Sequence, residues 1–186
     1  MTAVPALPAP VELLVRRDLQ RNRLTVFFRL PLVIPHLFVL VFLAVAACLV
    51  AVIGWFAALI LGRLPGWAHG YLAGYLRWSA RVGGYVSLIT DTYPPFTLAP
   101  TDHPIRLVIP PPGRLRRWAV FGRLVLVVPA YFLSLAGAGA GLFVVFAWFA
   151  AVFVGRTPRA VFDAIATVQR FGHRMSAYLS LLTPVY

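Results

Sequence analysis

Trp55-Phe56-Ala57-Ala58-Leu59-Ile60-Leu61-Gly62-Arg63-Leu64-Pro65 returns as Trp148-Phe149-Ala150-Ala151-Val152-Phe153-Val154-Gly155-Arg156-Thr157-Pro158, an offset of 93 residues. The same register carries Arg77/Arg170, Arg81/Arg174, Tyr85/Tyr178, Leu88/Leu181, Thr90/Thr183 and Tyr93/Tyr186. Upstream the offset is 94, pairing Pro10/Pro104, Leu13/Leu107, Arg23/Arg117, Val26/Val120, Phe27/Phe121, Arg29/Arg123, Leu30/Leu124 and Pro35/Pro129. Two copies of one unit therefore fill nearly the whole chain, and a repeat of this kind decides the architecture. The boundaries that follow are a disordered tail at 1–9, a first repeat at 10–96, a linker at 97–103 and a second repeat at 104–186.

Composition sets the medium. The chain is 61% hydrophobic and 12% charged, with a mean hydropathy of +0.84. Soluble domains are about half apolar and about a quarter charged, so an integral membrane protein is the expected class. The net charge of +12 would suggest nucleic acid in a soluble chain. All seventeen cations here are Arg, however, and they stand at the edges of apolar runs. In that position positive charge sets orientation and meets anionic headgroups, so nucleic acid is not an expected partner. Cys48 has no partner for a disulfide and reads as a small core residue. The uncharged Ala/Pro-rich start lacks the layout of a signal peptide.

Each unit has four parts. A short extended piece (Val11–Val15, Ile105–Ile109) leads to a basic stretch (Arg16–Arg29, Arg114–Arg123) and then to an apolar run (Leu30–Leu61, Leu124–Val154). The runs are long for one span of about twenty residues and short for two. The change of offset between Pro35 and Trp55, and the Gly137, Gly139, Gly141 alternation, favour a tight helical hairpin. After Gly-Arg-x-Pro comes a helix at Gly66–Thr90 or Arg159–Thr183, with Arg77/Arg81 and Arg170/Arg174 four apart on one face and aromatics nearby. That pattern suits an amphipathic helix at the membrane interface. A rival reading makes the apolar run one long helix and this helix a second span, at the cost of two Arg at mid-membrane. The expected fold is all-α, with a short strand, an apolar hairpin and an interfacial helix in each repeat and about four transmembrane spans in all. Under the hairpin reading, essentially every Arg lies on one side, and the copies are parallel repeats about an axis near the membrane normal.

The clusters Arg23-Leu24-Thr25-Val26-Phe27-Phe28-Arg29-Leu30-Pro31, Ile34-Pro35-His36, Leu76-Arg77-Trp78, Arg81-Val82 and Thr90-Asp91-x-Tyr93-Pro94-Pro95-Phe96 carry a resemblance. They are similar to an uncharacterised family of actinobacterial membrane proteins known as a domain of unknown function. The second copy is divergent, with Ala130 for His36 and Pro184 for Asp91. The resemblance implies a bacterial membrane location and brings no activity.

Catalytic groups are scarce. Glu12, Asp18, Asp91, Asp102 and Asp163 show no acid–base pairing, and His36, His69, His103 and His173 have no metal-ligand spacing. No catalytic, cofactor or metal residue is expected, and no cofactor. His36 reads as a polar residue near headgroups, and Gly70/Gly74 as a weak GxxxG packing signal. Arg29, Arg77, Arg81, Arg123, Arg170 and Arg174 recur in both copies and are the candidate lipid- or phosphate-binding residues. The bland reading has them anchoring helices by pairing with local carbonyls or with Asp91 and Asp163; an Asp163–Arg170 network is one form of it. The expectation is a non-enzymatic accessory or scaffold protein of the bacterial cytoplasmic membrane, with cytoplasmic termini. It would engage anionic lipids through these Arg clusters, alone, as a homo-oligomer or in a larger membrane complex. The alternatives are an oligomeric transporter or channel component, or an interfacial lipid-acting enzyme.

Overall fold

From Arg23 to Leu61 the first copy forms one unbroken 39-residue helix, α1, in a computed structural model that describes residues 11–115, 117–118, 120–123 and 140–183. The hairpin expected within Leu30–Leu61 is therefore corrected. Between His36 and Gly54 the sequence offers no Gly, no Pro and no charge, so nothing local ends the helix. A break in so apolar a stretch would strand backbone N–H and C=O groups. Pro31 and Pro35 lie within α1 without ending it. Asn22 caps its start by accepting from the Leu24 N–H, and Gly62 ends it at φ 69°, donating its N–H to the Ala58 carbonyl. A Cβ is costly in that left-handed region, which is why Gly stands here and again at Gly155, φ 76°. In the second copy the run before Ala140, including Gly137 and Gly139, lies outside the described residues, as do the tail at 1–9 and the pairings at Pro129 and Tyr186.

The other elements are strand β1 (Glu12–Val15), helix α2 (Gly66–Val86), strand β2 (Ile105–Val108), helix α3 (Ala140–Val154) and helix α4 (Arg159–Leu179). They build three layers. α1 and α3 form the first, α2 and α4 the second, and the β1–β2 ribbon the third. Among the described residues neither strand contacts α1 or α3. Of these helices, α1 alone is long and apolar enough to cross a membrane, so the described residues do not supply the four spans expected. α2 is not a surface helix either, whereas α4 keeps an exposed face, with four of its 21 residues buried. α2 is the central element, packed on α1, α4 and β2, and most of its length is buried.

The contacts between the two copies come in repeat-related pairs. β1 and β2 pair antiparallel with Leu13 opposite Leu107, its own repeat equivalent. Gln20 bridges Arg156 while Arg63 bridges Arg114. Trp55 Nε1 donates to the Val120 carbonyl and Trp148 Nε1 to the Val26 carbonyl, both at 3.3 Å. Arg21 N donates to the Gly155 carbonyl and Leu115 N to the Gly62 carbonyl, both at 2.9 Å. A pseudo-two-fold axis through the Leu13/Leu107 pair relates the copies. Val26 sits beside Trp148 and Trp55 beside Val120, so along α1 the second copy runs the opposite way. The axis is thus perpendicular to the long helices.

Small residues set the spacing of the second and third layers. A Cβ on Gly84 would stand 1.9 Å from Ile105 Cδ1, and one on Gly74 would stand 2.8 Å from Leu98 Cβ. Gly70 meets nothing within 4 Å and Gly74 meets Leu98 of the linker, so among the described residues the pair brings no second helix close. Gly84→Ala is expected to cost about 1–3 kcal/mol by overpacking the ribbon. Ile105→Val should recover part of the loss by removing the clashing methyl. Gly70→Ala should instead raise the thermal midpoint, because Ala favours a helix over Gly.

Candidate functional site

The six repeat arginines divide by burial. Arg29, Arg81 and Arg123 are 2%, 3% and 4% exposed, whereas Arg77 and Arg170 are half-buried and Arg174 is exposed.

Arg29 and Arg123 do the same job in each repeat. α2 ends in a left-handed residue, Leu88 at φ 58°, and α4 in Leu181 at φ 62°. Ile89 N returns to the Gly84 carbonyl and Leu88 N to Tyr85, and Leu182 N and Leu181 N repeat the pattern on Ala177 and Tyr178. The turn still leaves carbonyl lone pairs open, and the guanidinium of the same repeat fills them. Arg29 donates to the carbonyls of Tyr85 and Thr90. Arg123 donates to Tyr178 and Thr183 at 2.7 and 2.8 Å. Each guanidinium also lies over the Tyr ring, 4.4 Å from the Tyr85 centroid and 4.1 Å from that of Tyr178.

The first copy adds charge to this knot. Asp91 Oδ1 accepts from Arg29 at 2.5 Å, and Asp91 Oδ2 accepts from the Asn22 N–H at 2.7 Å. Arg21 approaches the same carboxylate at 3.8 Å and donates to the carbonyls of Leu88 and Ile89. Burial lowers the Arg21 pKa, and Asp91 and Asp18 oppose the shift. In the second copy the equivalents of Asp91 and Arg21 are Pro184 and Leu115, so a charged network has become a carbonyl cap. Arg21 is not among the expected residues, because its repeat equivalent is not an Arg, and only the folded chain brings it to Leu88.

His36 is also part of this first-copy apparatus. It does not face headgroups as expected but is fully buried, because the segment after α2 folds over it. Its Nδ1 accepts from Trp78 Nε1 at 3.2 Å, and its ring stacks on Phe96 with centroids 3.8 Å apart. Cys48 departs from expectation in the other direction: it is exposed, since α1 turns most of its circumference outward.

Arg81 donates to the Thr97 and Ala99 carbonyls, holding the linker against α2. Burial lowers its pKa, with Arg77 adding to the shift. Arg170 Nε and Arg174 Nε donate to the Leu13 and Val11 carbonyls at 3.4 and 3.0 Å, clamping β1. Beside them Glu12, Arg16, Arg106 and His103 line an open hollow of about 530 Å³. Arg16 and Arg106 were not singled out from sequence, although the alternation of β2 places Arg106 on its outward face. Asp163 pairs with Arg17 at 3.1 Å, which replaces the expected Asp163–Arg170 network. Among the described residues no group of His, Cys, Asp and Glu is placed to hold a metal.

His103 supplies a pH dependence. It is buried, its Nδ1 accepts from the Ile105 N–H at 3.1 Å and its Nε2 faces the Thr92 carbonyl at 3.3 Å, which fits the neutral ring. Burial lowers its pKa from the ordinary 6.5. The unfolded chain therefore takes up the proton first as pH falls. Stability is complete above about pH 6.5 and declines below it. Burial lowers His69 and His173 likewise, so His103→Gln should flatten only part of the decline in thermal midpoint between about pH 7.5 and about pH 5.5.

Further arginines gather at the two ends of the long helices. Leu19 to Arg23 lie beside Gly155 to Arg159 at one end. Arg63, Arg114 and Arg117 meet at the other, where Leu115 N reaches the Gly62 carbonyl and Arg117 reaches the Ile60 carbonyl. Trp67 and Trp118 stand exposed near this second end.

No curated protein and no solved structure matches the chain. A family model matches residues 23–97 and 117–186, one segment in each repeat, and both strands fall outside it. The chain thus belongs, in two tandem copies, to the family described as Domain of unknown function (DUF4389).

Proposed function

We propose that the protein is a non-enzymatic accessory or scaffold component of a bacterial membrane, holding the bilayer with its long-helix layer and anionic groups with its arginines. The observation that carries this reading is the exposure of α1. Only 11% of its most apolar 18-residue window is buried, whereas the core helix of a soluble protein is covered on most sides. Phe38, Val41, Phe42, Val45 and Leu49 all face outward, as do Leu142, Phe146 and Phe153 on α3. An apolar surface of that extent demands a partner, and arginines with exposed Trp at its margins suit a bilayer interface.

The anionic contacts divide between two places. Arg63, Arg114 and Arg117, with Arg23, Arg156 and Arg159 at the opposite end, are placed for lipid phosphates. Arg170 and Arg174, with Arg16 and Arg106, are placed for an anionic group on a partner at the ribbon. Arg29, Arg81 and Arg123 are occupied with carbonyls and serve the fold. A transport role is less well supported, because α1 carries no ionisable side chain other than Cys48 between His36 and its end at Leu61.

Native mass spectrometry of protein extracted from anionic membranes tests the reading. The wild type is expected to retain anionic lipid, and an Arg63→Ala/Arg114→Ala/Arg117→Ala variant to lose most of it. A lipid-free wild type that partitions into the aqueous fraction would set the reading aside.

A further inference from the structure

We infer that the molecule lies flat in one leaflet, its long helices parallel to the membrane plane and its ribbon facing water; this rests on the membrane reading above. Three observations lead here.

The first is length. Arg29 and Arg63 bracket an α1 segment free of Asp, Glu, Lys and Arg, which spans about 50 Å at the helical rise. The hydrocarbon core is about 30 Å thick. Standing upright, α1 would leave about 20 Å of apolar helix outside it. Fitting by tilt would take about 55°, beyond the usual range of 0–40°.

The second is symmetry. The two-fold axis passes through the Leu13/Leu107 pair and is perpendicular to α1, running beside it at the level midway between Val26 and Trp55. If α1 stood upright, the ribbon would sit at the bilayer midplane. Glu12, Arg106 and Arg174 are exposed there. Charges at that depth are strongly disfavoured. Laid flat, the axis becomes the membrane normal, and both copies meet the bilayer in the same way.

The third is charge complementarity. Arginines gather at both ends of the long-helix layer, and none lies on α1 between Arg29 and Leu61 or on α3. A flat molecule brings both Arg-bearing ends to the same headgroup layer, while its outward apolar side chains enter the acyl region.

The test is side-specific labelling. In a Cys48→Ala background, single cysteines are introduced as Asp18→Cys, Gly113→Cys and Glu12→Cys, at the two ends of the long helices and on the ribbon. A membrane-impermeant maleimide is applied to spheroplasts and, separately, to inverted vesicles of a bacterial host. All three positions are expected to label from one side only. If Asp18→Cys and Gly113→Cys label from opposite sides, the flat orientation is wrong and the membrane reading survives. Recovery of the protein in the soluble fraction would overturn both. Oriented circular dichroism of the unmodified protein in stacked bilayers gives the same answer without substitutions. Helix axes in the membrane plane are expected, and axes along the normal would reject the inference.

Discussion

Arg29→Ala is expected to be among the most damaging single substitutions in the chain, costing about 3–5 kcal/mol, the range for removing one partner of a buried ion pair. The loss has three sources. The carbonyls of Tyr85 and Thr90 lose their donor, Asp91 loses its closest cation, and the Tyr85 ring loses the guanidinium above it. Asp91 keeps the Asn22 N–H and the more distant Arg21, which holds the cost within that range. Among the described residues Arg123→Ala removes the carbonyl contacts and a ring contact but no carboxylate, so it should cost less, about 1–3 kcal/mol. Chemical unfolding in mild detergent measures both. An Arg29/Asp91 double-mutant cycle then isolates the pair, because Asp91→Ala should lose much of its own effect once Arg29 is gone. If Arg29→Ala proved as mild as Arg17→Ala, whose ion pair with Asp163 is exposed, the knot would not hold α1 to α2.

The second large effect is on lipid selectivity. An arginine near an anionic surface contributes about 1 kcal/mol, so replacing Arg63, Arg114 and Arg117 together should weaken preference for anionic over zwitterionic lipid by about 3 kcal/mol, or about a hundredfold. Trp67 and Trp118 report on that end, and their quenching by brominated anionic lipid gives the relative association constant. The difference should shrink as salt rises, since the groups are exposed and screened over about 8 Å at physiological ionic strength. Replacing Arg77, half-buried against the ribbon, should leave the quenching unchanged. A triple variant with wild-type selectivity would remove these arginines from the headgroup layer.

Several features were legible in the residues alone because they are local. The duplication shows in the paired Trp-Phe-Ala-Ala and Gly-Arg-x-Pro clusters, and the αL glycines that end the helices follow from them. Helical spacing in Gly66–Val86 and Arg159–Leu179 and the two short strands were readable for the same reason. Burial of α2 is not legible in its Arg/aromatic pattern, which taken alone describes an interfacial face. Arg81 is buried because the Thr97 and Ala99 carbonyls come to it, and nothing within α2 announces that.

By itself, then, the sequence determined that the chain is a doubled, strongly apolar helical unit with its positive charge kept out of the apolar runs Leu30–Leu61 and Leu124–Val154. Those properties are carried by residues close together in the chain. The tertiary structure decided that α1 runs through without a hairpin, that the copies meet antiparallel about the Leu13/Leu107 pair, and that Arg29, Arg81 and Arg123 donate to backbone carbonyls. Each outcome depends on groups far apart in sequence. The partners of Arg29 lie 56 to 62 residues away, and Trp148 reaches Val26 across 122. A guanidinium binds phosphate or carbonyl oxygen equally readily by its own chemistry, and the fold decides which of them is within reach.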